Sequence, residues 1–101
     1  MAAKEGERDA AQRLALQSGG QAVAFVDYYL FGRVAIVTHT EVDPAHEGRG
    51  HGSAMARQAL DYFREQQWHV VPVCGFFAEQ IRRRPEYLDL LTPDCRRIFG
   101  L

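Results

Sequence analysis

The stretch His39-Thr40-Glu41-Val42-Asp43-Pro44-Ala45-His46-Glu47-Gly48-Arg49-Gly50-His51-Gly52-Ser53 decides the fold, because a β-rich run ends in it and an amphipathic segment begins at its far side. Val34 to Val42 is rich in β-branched residues and reads as a strand. Simple alternation puts Ile36, Thr38, Thr40 and Val42 on one face and Val37, His39 and Glu41 on the other, which makes His39 and Glu41 neighbours. Pro44 stops the strand. Glycines at 48, 50 and 52 permit left-handed backbone angles and close approach of a ligand. A helix that opens there has first N–H groups without internal partners and about half a positive charge at its end. The corner is therefore suited to a phosphate or diphosphate. It matches neither G-x-G-x-x-G nor the Walker loop, since no Lys-Ser or Lys-Thr follows the last glycine. A plain strand-to-helix connection uses the same glycines, so spacing alone does not separate the two readings.

Working outward, Ala56, Ala59, Leu60 and Phe63 recur at helical spacing and predict an amphipathic helix ending near Gln67, with Arg57, Asp61, Arg64 and Glu65 left in water. His69 to Cys74 reads as a short buried strand in which Pro72 need not donate a ladder bond. Gly75 permits a turn into a helix over Phe76 to Arg83, which Pro85 limits. A last helical turn or two over Pro85 to Leu91 is expected to stop at Thr92-Pro93. Upstream, Leu14 and Leu16, the turn Ser18-Gly19-Gly20 and the run Ala22 to Tyr28 form a hairpin signature, with a second break near Leu30-Phe31-Gly32. Residues 1–10 are small or charged and read as a disordered tail, leaving 11–101 as a single domain. Strands first, then strand, helix, strand and helix, predict an α+β fold: a curved, mostly antiparallel sheet with helices packed on it.

Composition narrows the partners. A chain of 101 residues with 47% hydrophobic residues builds one modest core. With 12 Lys plus Arg against 13 Asp plus Glu, there is no overall field to draw it to nucleic acid or an acidic membrane, so neither is an expected partner. No apolar run reaches the ~20 residues of a membrane span, and the N-terminus lacks the apolar segment of a secretory signal. A cytoplasmic location is expected, with Cys74 and Cys95 as thiols.

Residues 39–53, the helix after them and Val71-Pro72-Val73-Cys74-Gly75-Phe76-Phe77 together resemble the small single-domain group of the GNAT acetyltransferase family, over about residues 13–91. The resemblance implies a minimal GNAT-like fold and an acetyl-CoA-dependent N-acetyltransferase whose substrates are acetyl-CoA and an unidentified amine. In that family a His-Thr-x-Val sequence closes a strand, an Arg-Gly-x-Gly-x-Ala/Gly turn wraps the cofactor pyrophosphate, and a Pro-x-Cys strand end lies beside the thioester. Carried onto this sequence, it implies that His39, Thr40 and Val42 form the strand edge near the pantetheine arm. Gly48, Arg49, Gly50, His51 and Gly52, continued by Ser53, would hold the pyrophosphate, with Cys74 near the acetyl group. Glu47 departs from the Arg or Gln usual in the family and places a carboxylate beside the anion, which Arg49 is placed to offset.

Acetyl transfer to an amine needs a proton acceptor and donors for the developing oxyanion. His39 and Glu41 are the candidate bases. Cys74 either shapes the acetyl pocket or, at the start of a helix where a thiolate is favoured, acts as a covalent nucleophile. The spacings of His39, His46, His51, His69 and Cys74 match no zinc pattern, and no metal is expected. Arg82-Arg83-Arg84 either complements a helix dipole or contacts the 3′-phosphate of CoA. The alternative function is a non-catalytic CoA-binding or interaction module on the same fold.

Overall fold

A computed structural model describes residues 11–101; the expected N-terminal tail lies outside the described residues. The chain runs β1 (Gln12–Ser18), β2 (Gln21–Phe31), β3 (Val34–Val42), a 3-10 turn (Pro44–His46), α1 (His51–Gln66), β4 (His69–Pro72), α2 (Gly75–Arg83), a 3-10 segment (Pro85–Leu90) and α3 (Pro93–Phe99). The sheet order is β1-β2-β3-β4, antiparallel at the first two junctions and parallel between β3 and β4. This is the expected α+β architecture of helices packed on a mostly antiparallel sheet.

The helical spacing read from α1 matches its buried face. Met55, Ala56, Ala59, Leu60 and Phe63 are fully buried against Val26, Tyr28, Ala35, Val37 and Val70 of the sheet, and Phe77 and Ile81 of α2 complete the core. Burying each large apolar side chain contributes about 1.5–3 kcal/mol. At the far end of α1, the Gln67 N–H bonds the carbonyls of Arg64 and Phe63 in a left-handed cap. The same end is anchored from outside. Arg64 donates two bonds to the Asp89 carboxylate, at 2.9 and 3.0 Å, and one to the Glu86 carbonyl. Tyr87 donates to Asp61 at 2.6 Å, and burial, reinforced by that carboxylate, raises the Tyr87 pKa.

Two expectations are revised. The segment from Pro85 does stop before Thr92-Pro93, but the same pair starts a further helix that was not expected: the Thr92 side chain accepts from the Cys95 N–H, and Pro93 occupies the first turn, where its missing N–H costs nothing. The simple alternation along β3 also fails. Asp27 pairs with His39 but Tyr28 pairs with Val37, so Thr38 is an extra residue, a bulge. Ala35 and Val37 face the helices, and beyond the bulge Thr40 and Val42 face them too, opposite Val26 and Ala24. Ile36 therefore does not share a face with Thr40 and Val42. His39 and Glu41 keep their shared face, which is the outer one.

Candidate functional site

The corner after β3 is built by local chemistry. The Asp43 carboxylate accepts from the Ala45 N–H at 3.0 Å and Pro44 opens the 3-10 turn, so the chain leaves the sheet where the strand pattern stops. Gly48 and Gly50 then take φ of 81° and 77°. A Cβ at either would meet nothing within 4 Å, so glycine is required there by backbone conformation alone. Gly52 serves a different purpose from the one its spacing suggested. It is helical, and a Cβ there would lie 2.8 Å from Cζ of Phe76, so the missing side chain makes room for a ring.

Gly50 is the N-cap of α1 and supplies no side-chain acceptor, and no acidic residue lies in the first turn. The helix's first bond is Ala54 N–H to the Gly50 carbonyl at 3.0 Å. The amides of His51, Gly52 and Ser53 thus have no intrahelical partner, and no acceptor among the described residues bonds them. They border a groove of about 420 Å³ lined by Val42, Glu47, Gly48, Gly50, Phe76, Gln80 and Arg83, among others. The helix dipole makes this end positive.

The charges around the groove differ from the expected arrangement. Glu47 is on its wall, but Arg49 is turned toward His46, with Nη1 3.5 Å from the ring Nδ1. Compensation comes from α2, where Arg83 lines the groove and Arg84 reaches Ser53. Arg82 and Arg83 both pair with Glu79, whose carboxyl is held below its usual range by hydrogen bonds from Arg82 first and Arg83 second.

The strand edge beside the corner is open for a structural reason. Parallel pairing of β3 with β4 runs from Val34 and His69 to Val37 and Pro72, and the Cys74 N–H bonds the Val37 carbonyl at 2.9 Å. The two chains then part, β3 continuing to Val42 while the other enters α2. Thr40 and Cys74 face each other across this divergence, with Cys74 Sγ 3.5 Å from Thr40 Oγ1. Cys74 is half-buried at the N-cap of α2. Cys95 is buried, its thiol pKa is raised by that burial, and it sits against the Val70 carbonyl.

On the outer face, His39 Nε2 lies 3.0 Å from Glu41 Oε1, and both side chains are about half exposed. The His39 ring abuts Phe25 at 6.0 Å between centroids, and the Arg13 guanidinium covers Phe25 at 3.7 Å while gripping Asp27. The expected site residues thus form two groups, one on each side of the sheet. Thr40, Val42, Gly48 to Ser53 and Cys74 lie on the helix side, and the side chains of His39 and Glu41 lie outside. Among the described residues, no group of three or more His, Cys, Asp or Glu could hold a metal ion, and no helix is long and apolar enough to cross a membrane.

The family described as GCN5-related N-acetyl-transferase matches residues 13–90, which include the whole corner, both faces of β3 and all of α2. The chain belongs to the GCN5-related N-acetyltransferase family. Among curated relatives, the mouse (Mus musculus) protein NATD1 is 31% identical over 67 residues, covering 64% of this chain and 61% of the relative. The matched part therefore spans about three fifths of that protein. Tetrahymena GCN5 superposes with a TM-score of 0.58 at 15% identity, covering 69% of this chain and 49% of that one. The ribosomal-protein-S18-alanine N-acetyltransferase of Escherichia coli gives 0.55 at 18%, covering 66% and 46%. At those identities the likeness is one of fold.

Sequence reading did not single out Gln80 or Phe76. A signal for Gln80 was present: Phe77, Gln80 and Ile81 fall at helical spacing, so Gln80 is a polar residue inside an apolar stripe.

Proposed function

We propose that this acetyltransferase-family protein binds acetyl-CoA at the glycine corner and transfers the acetyl group to an amine. The observation that carries the reading is the row of unbonded amides from His51 to Ser53, set at a positive helix end and bordering a groove. The open edge of β3 beyond Val37 leads from that corner toward Cys74, a path suited to the pantetheine arm. Acetyl-CoA supplies an activated acyl group.

The chain's own residues then have separable tasks. The corner amides hold the diphosphate. Thr40 and Cys74 line the divergence of β3 and β4, where Cys74 shapes the acetyl pocket. His39 takes the proton of an amine that approaches from the outer face, through the divergence of β3 and β4: with Nε2–H donating to the Glu41 carboxylate, Nδ1 carries the free lone pair. Glu41 orients that ring. The two unpaired cysteines fit a reducing compartment, and a cytoplasmic location is part of the proposal.

Calorimetric titration with acetyl-CoA, followed by a transfer assay over polyamines, peptides and small amines, tests this reading. Binding with transfer is expected, with His39→Gln lowering turnover by about 10²-fold or more. Turnover unchanged in Cys74→Ala would remove a covalent role for the thiol, and turnover unchanged in His39→Gln would remove the base. A second reading, a CoA-binding module without catalysis, is favoured by Glu47 on the groove wall and by the exposure of His39 and Glu41 to water. Binding without transfer to any amine supports it. Absence of binding sinks both.

A further inference from the structure

Behind the first turn of α1, Ser53, Gln80 and Arg84 form a hydrogen-bonded chain whose direction is fixed by chemistry. Arg84 Nη2 lies 2.9 Å from Ser53 Oγ, and Ser53 Oγ lies 2.9 Å from Gln80 Oε1. A guanidinium only donates, so Ser53 Oγ accepts from Arg84 and its single proton goes to Gln80 Oε1. The carbonyl end of the Gln80 amide is thereby locked toward Ser53, which sets which end is nitrogen. Its Nε2 is left with two donors and no acceptor among the described residues.

Gln80 is only 5% exposed and lines the groove. Nε2 is not sealed off: among the described residues, the one side-chain polar atom both buried and unpartnered is Arg84 Nε. The little surface that Gln80 retains therefore includes a donor on the groove wall. A nearly buried amide with a free NH2 group costs stability unless something it faces accepts from it. Arg84 shows the same imbalance in charge. It is half-buried with a sealed Nε, and no carboxylate among the described residues pairs with it, whereas Arg82 and Arg83 share Glu79. The C-terminal end of α2 favours a cation at Arg84, but beside the positive end of α1 that charge has no carboxylate partner among the described residues, which suits an anion that arrives from outside.

We propose that Gln80 is a further donor to the ligand's diphosphate, held in register by Ser53 and Arg84, and that Arg84 supplies the cation that Arg49 does not. The inference rests on reading the corner as a coenzyme A site. Gln80 acts as a binding residue, and Arg84 as a positioning residue working through Ser53. Together they offset Glu47 on the same groove.

The test is titration of the full chain and of Gln80→Leu, Arg84→Met and Arg84→Lys with CoA, with dephospho-CoA, which keeps the diphosphate and lacks the 3′-phosphate, and with inorganic diphosphate. Thermal melts of the free proteins accompany it. Gln80→Leu and Arg84→Met are expected to weaken all three ligands by about tenfold each. The free variants should melt no lower than about 2 °C below the unmodified chain, because each change removes an unsatisfied donor, Gln80 Nε2 or Arg84 Nε, along with the one bond to Ser53, and the two effects largely offset. Arg84→Lys should recover part of the lost affinity, through charge. Variants that bind CoA within twofold of the unmodified chain overturn the inference and leave the coenzyme site standing. Loss for CoA but not for dephospho-CoA also overturns it, moving the contact to the 3′-phosphate. Failure of the unmodified chain to bind any of the three removes the coenzyme site itself, and this inference with it.

Discussion

Two helix N-termini in this small protein are built in opposite ways. At α3, Thr92 caps the Cys95 amide at 3.2 Å, Pro93 fills the first turn and Asp94 faces the dipole. A side-chain cap, an N-terminal proline and an acid in the first turn all close this helix end. At α1, the N-cap is Gly50 in a left-handed conformation, with no side-chain acceptor and no acid in the first turn. Against glycine, a Ser, Thr or Asp cap is worth only about a few tenths of a kcal/mol, so leaving the end without a side-chain cap costs the chain little. The difference teaches that the chain closes one helix end with its own side chains and leaves the other without a side-chain cap, which is the arrangement the proposed cofactor site requires.

The largest effect is expected where the corner meets the Phe76 ring. Gly52→Ala would put a Cβ 2.8 Å from that ring, which is 43% exposed and would have to swing outward as a whole, at a cost of about 1–2 kcal/mol. Urea denaturation reads this, and the double variant with Phe76→Leu should regain most of it. Full stability in Gly52→Ala would mean that Phe76 does not pack against α1. Next comes Gly50→Ala, which meets no neighbour but forces a β-carbon into φ near 77°, at a cost of about 1–2 kcal/mol. Gly50→Asn should cost less, because Asn tolerates that conformation. Equal stability of Ala and Asn there would show that the corner is not left-handed. The control on the closed terminus is Thr92→Ala, expected to cost about 1 kcal/mol while leaving acetyl-CoA affinity within twofold. A drop in affinity from that change would break the distinction between the two ends.

Much of this was legible in the sequence, and the remainder was hidden for identifiable reasons. The stripe Ala56, Ala59, Leu60, Phe63 announced α1, and the hairpin residues announced β1 and β2, because periodicity is a local property. The glycine corner was legible as a left-handed strand-to-helix turn from composition and position. The bulge at Thr38 was not, since nothing in Val37-Thr38-His39 distinguishes an extra residue from a regular one until the pairing with β2 is known. Thr92-Pro93 was read only as a stop, which it is, and its second role as the cap and first turn of the next helix went unseen because the same pair serves both. Arg49 illustrates a third limit. Its place in the turn suggested a role in offsetting Glu47, but its direction is set by the conformation of the turn, which presents His46 to it, and composition alone does not fix that conformation.

The opposite end of α1 supplies the smallest test, because it is held by charge. The Asp89 pKa is lowered chiefly by hydrogen bonds from Arg64 and further by its charge. For a carboxyl depressed in the folded state, the stabilisation is complete above its unfolded value near about 4 and is lost as pH falls through the folded value. The acidic side of the stability profile is therefore where this clamp releases. Asp89 is 65% exposed, so solvent screening keeps the contribution to about 0.5 kcal/mol. Asp89→Asn should lower stability by that amount at pH 7 and by almost nothing at pH 2, measured by urea denaturation at both. An equal loss at the two pH values would mean that Asp89 acts through packing or hydrogen bonding alone. In that case the charge clamp at this end of α1 would have no counterpart to the electrostatic design proposed for the other.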